Sequence, residues 1–244
     1  MLPAPTSPHC AVVELRQYTL YPGQRDTLID VFDREFVETQ EAVGARVIGQ
    51  FRDAGRPDRF VWLRGFAGMA ERAAALGAFY GGPAWAAHSA VANATMVDFD
   101  DVLLLRPAWE GSGVTVQRER PPTTASGGSA GLVDVTIFPL QATPSSALVQ
   151  AARNAGAVLR EGGAHEAAWY VTEPAANTFP RLPVREGVQV LVGVALFDGS
   201  EAFDAFSRSG RWERNAAPGL AKHLSGSPRS LRLLPTARSA LRAG

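Results

Sequence analysis

The stretch VELRQY at residues 13–18 returns as VDVTIF at residues 133–138, about 120 residues later. Both stretches begin with apolar and polar residues in alternation, which is the pattern of a β-strand. A second pair, GPAW at 82–85 and SGRW at 209–212, has a similar offset. A recurrence at a fixed spacing predicts that the chain contains two copies of one structural unit.

Each copy has the element order βαββαβ. In the first half, strand-like runs include VVELRQYTL, RFVWLRGF and DDVLLLRPA, and helix-like runs include MAERAAALGAFY and PAWAAHSAVAN. The order βαββαβ is the ferredoxin-like motif, whose sheet carries helices on one face and needs cover on the other. The sequence therefore predicts an α+β fold in which tandem duplicated ferredoxin-like units close their sheets face to face as an α+β barrel, with the helices outside.

The predicted domain boundaries follow from composition. GSGVTVQRERPPTTASGGSA at 111–130 is rich in Gly, Ser, Thr and Pro and has no apolar period, which is typical of a linker. The expected organisation is an N-terminal ferredoxin-like domain at 11–110 and a degenerate C-terminal copy at 131–238.

Composition and charge disfavour several classes of partner. Lys and Arg total 24 and Asp and Glu total 24, so no net field attracts nucleic acid or an anionic membrane. No apolar stretch approaches the roughly 20 residues of a membrane helix. Cys10 is the single cysteine and cannot form a disulfide within the chain. We expect a soluble cytoplasmic protein that binds a small molecule, without a nucleic-acid or membrane partner, and a homodimer is an open alternative.

Alternation divides each strand into an apolar face and a polar face. We expect the apolar faces, such as Val13 with Leu15 and Val61 with Leu63, to lie beneath the helices. The polar faces would then line the barrel interior with Glu14, Arg16, Tyr18, Gln50, Arg52, Trp62 and Arg64. Two alternatives remain: Glu14 could pair with Arg16, Arg52 or Arg64 in a purely structural ion network, and a register shift of one residue would reverse the faces.

The second copy differs at the matching positions. It has Asp134, Thr136 and Phe138 in place of Glu14, Arg16 and Tyr18, and Gly193 and Ala195 in place of Trp62 and Arg64. We therefore expect the chemistry to lie in the first half and the second half to act mainly as a lid and scaffold.

The stretch AFYGGPAWAAHSAVANAT at 78–95 supplies further candidates. Pro83 suits the first turn of a helix on which Trp85 and His88 share a face. Trp85 is interpreted either as a core residue or as a ligand contact, and Asn93 either as a helix cap or as a ligand contact. His88 is a candidate for proton transfer near neutral pH.

Cofactor motifs are not found in the sequence. The four histidines are widely separated without metal-ligand spacing, and there is no GxSxG, phosphate loop or dinucleotide fingerprint. No cofactor is expected. Haem binding stays an open alternative, because a single axial ligand such as His223 would produce no spacing pattern in the sequence.

Several stretches of the first half together resemble the NIPSNAP family: VELRQYTLYPG, GQFRD, PDRFVWLRGF, FYGGPAW and AAHSAVANATM. The resemblance spans residues 12 to about 107, and the second half has lost RFVWLRGF and the pattern from GGPxW to the histidine. This family is similar in fold to the dimeric α+β barrel group, which includes cofactor-free monooxygenases, isomerases and haem enzymes. The resemblance points to Tyr18, Arg52, Trp62, Arg64, Tyr80, Trp85, His88 and Asn93.

These observations favour a small-molecule enzyme of specialised or degradative metabolism. The expected chemistry is of the cofactor-independent oxygenase, isomerase or cyclase type, on an anionic or enolisable hydrophobic substrate held in the barrel. Glu14, His88 and Arg64 are the predicted catalytic residues. The predicted substrate-binding residues are Arg16, Tyr18, Gln50, Arg52, Trp62, Tyr80, Trp85 and Asn93. A non-catalytic ligand-binding or interaction protein is the second hypothesis, and a haem-binding barrel is the third.

Overall fold

The computed structural model describes residues 10–115 and 118–244. The strands of the first half are β1 Val12–Leu20, β2 Arg46–Asp53, β3 Arg59–Phe66 and β4 Met96–Pro107, and those of the second half are β5 Leu132–Pro139, β6 Glu166–Thr172, β7 Val190–Phe197 and β8 Arg229–Pro235. The helices of the first half are α1 Arg25–Val31, α2 Val37–Glu41, α3 Met69–Tyr80 and α4 Pro83–Ala94. Those of the second half are α5 Ser146–Glu161, α6 Ser200–Arg208, α7 Arg211–Asn215 and α8 Ala217–Ala221.

The strands form one closed antiparallel barrel in the order β1-β3-β2-β8-β5-β7-β6-β4. Each half contributes four consecutive strands in the equivalent order, and the halves join through β2 with β8 and β4 with β6. The predicted tandem α+β barrel is therefore confirmed. Closure pairs both edges of each four-stranded sheet, which removes the exposed edges that a single unit would present.

Helices cover the outer face of the barrel in both halves. In the first half, α1 continues through the π-helical turn Phe32–Phe36 into α2, and Leu28, Ile29 and Phe32 are buried against the sheet. In the second half, α5 has an apolar stripe that includes Leu148, Ala152 and Leu159, and it packs on the opposite side of the barrel. Each half thus has its own core between sheet and helices, in addition to the core inside the barrel.

The barrel interior is apolar, which corrects the predicted assignment of strand faces. Val13, Leu15, Val61 and Leu63 pack inside the barrel against side chains such as Val194 of the second half. The polar faces of the same strands point outward, under the helices. The residues placed wrongly in the interior are Glu14, Arg16, Tyr18, Gln50, Arg52, Trp62 and Arg64.

The reversal has a physical reason. Both faces of these strands are buried, one by barrel closure and the other by helices, so alternation divides the residues without showing which face is inside. An eight-stranded barrel has room in its interior only for side chains that fill it. Aliphatic faces from all eight strands can pack there, whereas long charged side chains find their hydrogen-bond partners on the helices outside.

A bulge in β2 also alters the face pattern. Val47 pairs with Arg64 and Gly49 with Leu63, so Ile48 is an extra residue in the ladder. Ile48 and Phe51 both belong to the interior core, whereas Val47 packs under the helices. Strict alternation places Ile48 and Phe51 on opposite faces and assigns Phe51 wrongly to the helix side, because the bulge shifts the phase.

The segment between β4 and β5 packs along the barrel. Val114 enters the interior core, and its backbone N–H donates to the Tyr170 hydroxyl at 2.8 Å.

The predicted domain boundaries stay predictions, and part of the proposed linker lies outside the described residues. Within the residues described, no helix has the length and apolar character needed to span a membrane.

Candidate functional site

In the first half, one buried carboxylate binds three arginines beneath the helices. Glu14 Oε2 accepts from Arg16 Nη1 at 2.9 Å and from Arg64 Nη2 at 2.6 Å. Glu14 Oε1 accepts from Arg72 Nε of α3 at 2.6 Å. All four side chains are fully buried. The ion pairs of Glu14 with Arg16 and Arg64 agree with the alternative of a structural ion network, and Arg72 is a third partner that the strand pattern does not reveal.

Aromatic rings complete this cluster. The Arg64 guanidinium lies 4.8 Å from the centre of the Trp62 ring, and that of Arg16 lies 5.7 Å from the same ring. Arg16 Nε donates to the Tyr18 hydroxyl at 3.0 Å, and Arg64 Nη1 donates to Gln40 Oε1 at 2.8 Å. Cation–π contacts and hydrogen bonds together compensate for the removal of these charges from water.

The electrostatics make Glu14 unsuited to accept a proton. Burial alone would raise its pKa, but the guanidinium groups of Arg64, Arg16 and Arg72 hold the pKa of Glu14 well below its usual range. A carboxylate of such low basicity is a poor general base at neutral pH. The catalytic roles predicted for Glu14 and Arg64 therefore stay predictions, and this geometry argues against the role of Glu14.

Two further predicted residues are engaged on the sheet surface. Gln50 Nε2 donates to Asp33 at 2.8 Å, which connects β2 to the π-helical turn. Arg52 binds the exposed Asp26 through two nitrogens, at 2.9 Å and 3.1 Å, and does not reach Glu14. Gln50 thus connects the sheet to the π-helical turn, and Arg52 connects it to α1.

The aromatic residues of the GGPxW stretch pack together. The centroid of the Trp85 ring lies 4.7 Å from the centroid of the Tyr80 ring and 5.5 Å from that of the Phe36 ring. Tyr80 stacks in turn on Phe179, which lies in the segment between β6 and β7, with 5.9 Å between the two ring centroids. These contacts favour the core interpretation of Trp85.

His88 and Asn93 lie further out on α4. His88 Nε2 is 3.4 Å from Glu35, and both side chains are more than a third exposed. Asn93 is exposed in the last turn, and the helix is capped by Thr95, so the cap interpretation of Asn93 is wrong. The structure does not bring His88 or Asn93 to the Glu14 cluster.

The space left between sheet and helices in the first half is very small. It measures about 30 Å³ and is bordered by residues that include Tyr18, Trp62, Tyr80 and Trp85. A space of this size holds about one water molecule. Four of the residues predicted to bind substrate therefore fill the space between sheet and helices themselves: Tyr18, Trp62, Tyr80 and Trp85.

The equivalent space in the second half is an open cavity of about 550 Å³. Strand register establishes the equivalence: Thr136 faces Gly193 as Arg16 faces Trp62, and Asp134 faces Ala195 as Glu14 faces Arg64. Replacing Trp62 by glycine and Arg64 by alanine removes two large side chains from the sheet surface. This volume lies within the range of about 300–1,000 Å³ that is typical of small-molecule sites.

The cavity wall is largely aromatic. Its floor is the outer face of the sheet, and its sides come from α5, α6 and α7. The Trp169 ring lies against Gly193, where a methyl group would come within about 3.0 Å of it, so glycine permits this close approach of the ring to the strand. The aromatic side chains of the wall are Phe138, Trp169, Phe203, Phe206 and Trp212.

A carboxyl group lies on the cavity floor. Asp134 Oδ2 accepts from the Thr136 hydroxyl at 2.8 Å, and Asp134 Oδ1 accepts from the Ser230 hydroxyl. Burial raises the pKa of Asp134, although these two hydrogen bonds and the positive charge of Arg232 lower it in part. Unlike Glu14, Asp134 forms no ion pair among the residues described. It is a carboxyl group of raised basicity inside an aromatic cavity.

Positive charge lies at the edge of the cavity. Arg232 of β8 pairs with Asp134 of β5 in the sheet. Its guanidinium carbon lies 4.9 Å from the centroid of the Phe203 ring, and its Nη1 lies 3.3 Å from Asp204 Oδ1. Arg56, from the turn between β2 and β3, also lines the cavity, so the first half contributes to its wall. Either guanidinium can attract an anionic or developing oxyanion group of a bound molecule.

Sequence reasoning misses this site although its signal is present. The change from Trp62 and Arg64 to Gly193 and Ala195 suggests a loss of chemistry, whereas small residues on a covered sheet face leave volume. In the part of the chain that the structure describes, no group of three or more His, Cys, Asp or Glu side chains can hold a metal ion. The haem alternative stays a prediction.

Similarity to known families divides the chain in the same way. The NIPSNAP family profile matches residues 13–109. The matched segment contains the filled Glu14 cluster, whereas the open cavity is built almost entirely from residues outside it. No curated protein matches the sequence.

Three solved structures share the architecture over nearly the whole chain. A candidate monooxygenase from Lactobacillus acidophilus NCFM is 9% identical with a TM-score of 0.61, and covers 94% of this chain and 96% of its own. An anthrone oxidase-like protein is 14% identical with a TM-score of 0.57, and covers 98% of both chains. A candidate monooxygenase from Fusobacterium nucleatum is 7% identical with a TM-score of 0.58, covering 93% of both. At these identities the likeness shows the fold alone, an α+β barrel that extends over both halves of the chain.

Proposed function

We propose that this protein is a small-molecule enzyme that removes a proton from an enolisable aromatic substrate bound in the second-half cavity, with Asp134 as the base. The observation that carries the proposal is the placement of Asp134. Its carboxyl group, with a raised pKa, lies on the floor of an aromatic cavity and is held by two hydroxyl groups. A raised pKa makes the carboxylate a stronger base.

The cavity residues divide the work between binding and proton transfer. The aromatic wall, including Trp169 and Trp212, would stack on a flat apolar substrate. Thr136 and Ser230 fix the direction of the Asp134 carboxyl and leave each oxygen a further lone pair for the substrate proton. Loss of that proton places negative charge on the substrate oxygen, which Arg232 or Arg56 would stabilise.

Reaction of the enolate with oxygen would complete the proposed turnover. Two of the full-length structural neighbours are described as candidate monooxygenases and one as anthrone oxidase-like. An enolate formed in the cavity can react with dissolved dioxygen without a cofactor. For anthrone the balanced reaction consumes one dioxygen and yields anthraquinone and one water, so one oxygen atom enters the new carbonyl group and the other leaves as water.

The test uses anthrone as the probe and an oxygen electrode as the detector. We expect the wild-type protein to consume oxygen above the rate of anthrone in buffer alone. Asp134→Asn should lower this rate about 10²- to 10⁴-fold, the usual contribution of a general base. Asp26→Asn, the same chemical change at an exposed ion pair in the first half, is the matched control and should leave the rate unchanged.

Quenching of tryptophan fluorescence measures binding separately, because Trp169 and Trp212 line the cavity. Turnover by Asp134→Asn at the wild-type rate would overturn the role of Asp134. Quenching by anthrone without oxygen consumption in the wild-type protein would support the non-catalytic ligand-binding hypothesis instead.

A further inference from the structure

Four strands place charged or amide side chains at one mouth of the barrel. Alternation continues the interior face of β1 from Val13 and Leu15 to Gln17, and that of β3 from Leu63 and Val61 to Arg59. The interior face of β4 continues from Leu103 to Asp101, and that of β8 from Leu231 to Arg229. The aliphatic interior therefore ends in a polar layer, to which Arg185 is added from the segment between β6 and β7.

This layer contains three arginines around one carboxylate. Arg185 Nη1 lies 3.5 Å from Asp101 Oδ1, Arg229 Nη2 lies 3.6 Å from Asp101 Oδ2, and Arg59 Nη1 lies 3.7 Å from Asp101 Oδ2. All three distances are at or beyond the outer limit of a hydrogen bond. Three guanidinium groups and one carboxylate leave two positive charges uncompensated within the cluster.

The Glu14 cluster provides a contrast. It also has three arginines and one carboxylate, but its ion-pair distances are 2.6–2.9 Å and its side chains are fully buried. At the barrel mouth the same groups are further apart and less buried, since the Arg59 and Asp101 side chains are each 20% exposed. The loose spacing leaves the nitrogens able to bind another acceptor.

Two unpaired groups point to such an acceptor. Gln17 is fully buried, and among the residues described neither its Nε2 nor its Oε1 has a hydrogen-bond partner. Arg59 Nη1 is likewise buried and has no hydrogen-bond partner there. Gln17 pairs directly with Asp101 in the β1–β4 register, so its amide lies beside the cluster. Buried polar groups are otherwise almost always satisfied.

We propose that this barrel mouth is a binding site for a dianionic oxyanion of the phosphate type. Arg59, Arg185 and Arg229 would bind its oxygens, because guanidinium groups match the geometry of such anions. The Gln17 amide would donate from below. The two negative charges of the anion would compensate the two positive charges that remain after Asp101 neutralises one of the three arginines. The site is distinct from the cavity, because Arg229 and Ser230, adjacent in β8, point to opposite faces of the strand.

Calorimetric titration of the full chain with inorganic phosphate tests the site. Sodium chloride holds the ionic strength constant during the titration, so that changes in charge screening do not contribute to the measured heats. We expect saturable binding by the wild-type protein and a loss of affinity of about tenfold or more in Arg229→Gln. Arg208→Gln, at an exposed arginine of α6, is the matched control and should bind as the wild type does.

Two further variants separate a built site from a general basic patch. Asp101→Asn removes a repulsive charge and should tighten phosphate binding several-fold, whereas a purely structural ion cluster would lose stability without gaining affinity. Gln17→Leu removes no charge and should weaken binding several-fold. Circular dichroism confirms that each variant is folded, and Arg185→Gln, at a half-exposed loop residue, replaces Arg229→Gln if that variant unfolds.

Three outcomes would overturn the proposal. They are phosphate heats no larger than those of sodium chloride at equal ionic strength, equal affinity in Arg229→Gln and Arg208→Gln, and unchanged affinity in both Asp101→Asn and Gln17→Leu. Asp134→Asn should not change phosphate affinity, so this site and the proposed active site can fail independently.

Discussion

The two halves of the barrel share a topology but use the space between sheet and helices differently. In the first half, Trp62 and Arg64 fill that space and leave about 30 Å³. In the second half, Gly193 and Ala195 occupy the matching positions and leave about 550 Å³. The carboxylates differ in the same way, because Glu14 is bound by three arginines and Asp134 by two hydroxyl groups. A duplicated unit can therefore assign stability to one copy and leave the other free to bind a ligand.

The largest expected effect comes from removing the first-half carboxylate. Glu14→Gln leaves three buried guanidinium groups without their counter-charge and should lower the free energy of unfolding by about 3–5 kcal/mol. Asp134→Asn is the matched change in the second half and should cost about 1 kcal/mol or less. Urea denaturation of both variants measures the difference. Equal losses would contradict the assignment of a structural role to one carboxylate and not to the other.

The next effect is the cost of opening a cavity in the first half. Trp62→Ala removes a buried ring whose centroid lies 4.7 Å from that of Phe32. The same ring contacts the guanidinium groups of Arg16 and Arg64. We expect a loss of about 3 kcal/mol in the free energy of unfolding, since the surrounding structure cannot collapse fully into the space. Thermal and urea denaturation measure the loss. If Trp62→Ala is as stable as the wild type, the first half is not packed as described.

The converse change closes the second-half cavity. Ala195→Leu adds a branched side chain above the sheet, where space exists, so stability should change by about 1 kcal/mol or less. Anthrone quenching of tryptophan fluorescence, and any oxygen consumption, should fall about tenfold or more because the added atoms occupy the ligand volume. Ala202→Leu, on α6 outside the lining residues, is a control for added bulk. Unchanged anthrone affinity in Ala195→Leu would place the ligand elsewhere.

The smallest effect is the pH dependence of stability, which should have opposite signs at the two carboxylates. The pKa of Asp134 is raised on folding, so the folded state binds more protons above the ordinary aspartate pKa of about 3.9. The contribution of Asp134 to stability therefore falls as pH rises through the interval up to its raised pKa. Asp134→Asn lacks this fall.

Glu14 gives the reverse slope. Its pKa is lowered on folding, so its contribution is present above the ordinary glutamate pKa and is lost as pH falls toward the lowered value. Free energies of unfolding measured across pH for the wild type, Asp134→Asn and Glu14→Gln separate the two contributions. If the stability of the wild type relative to Asp134→Asn rises toward neutral pH, the raised pKa of Asp134 is contradicted.

The sequence by itself determined the architecture. The repeat of VELRQY as VDVTIF and the order βαββαβ predicted two ferredoxin-like units closing into one barrel, and the closed strand order confirms it. The motifs of the first half also predicted the family whose profile matches residues 13–109. Such features follow from period and order along the chain, which are local properties.

Tertiary structure alone decided which strand face is inside and where volume is left. Alternation separated Glu14, Arg16 and Arg64 from Val13 and Leu15 correctly, but both sets are buried, so polarity could not orient them. The partners that settle the matter, Arg72 and Gln40, come from helices distant in sequence. The cavity above Gly193 and Ala195 likewise exists because helices of the second half span a sheet face without large side chains, and a space between elements has no signature in either element alone.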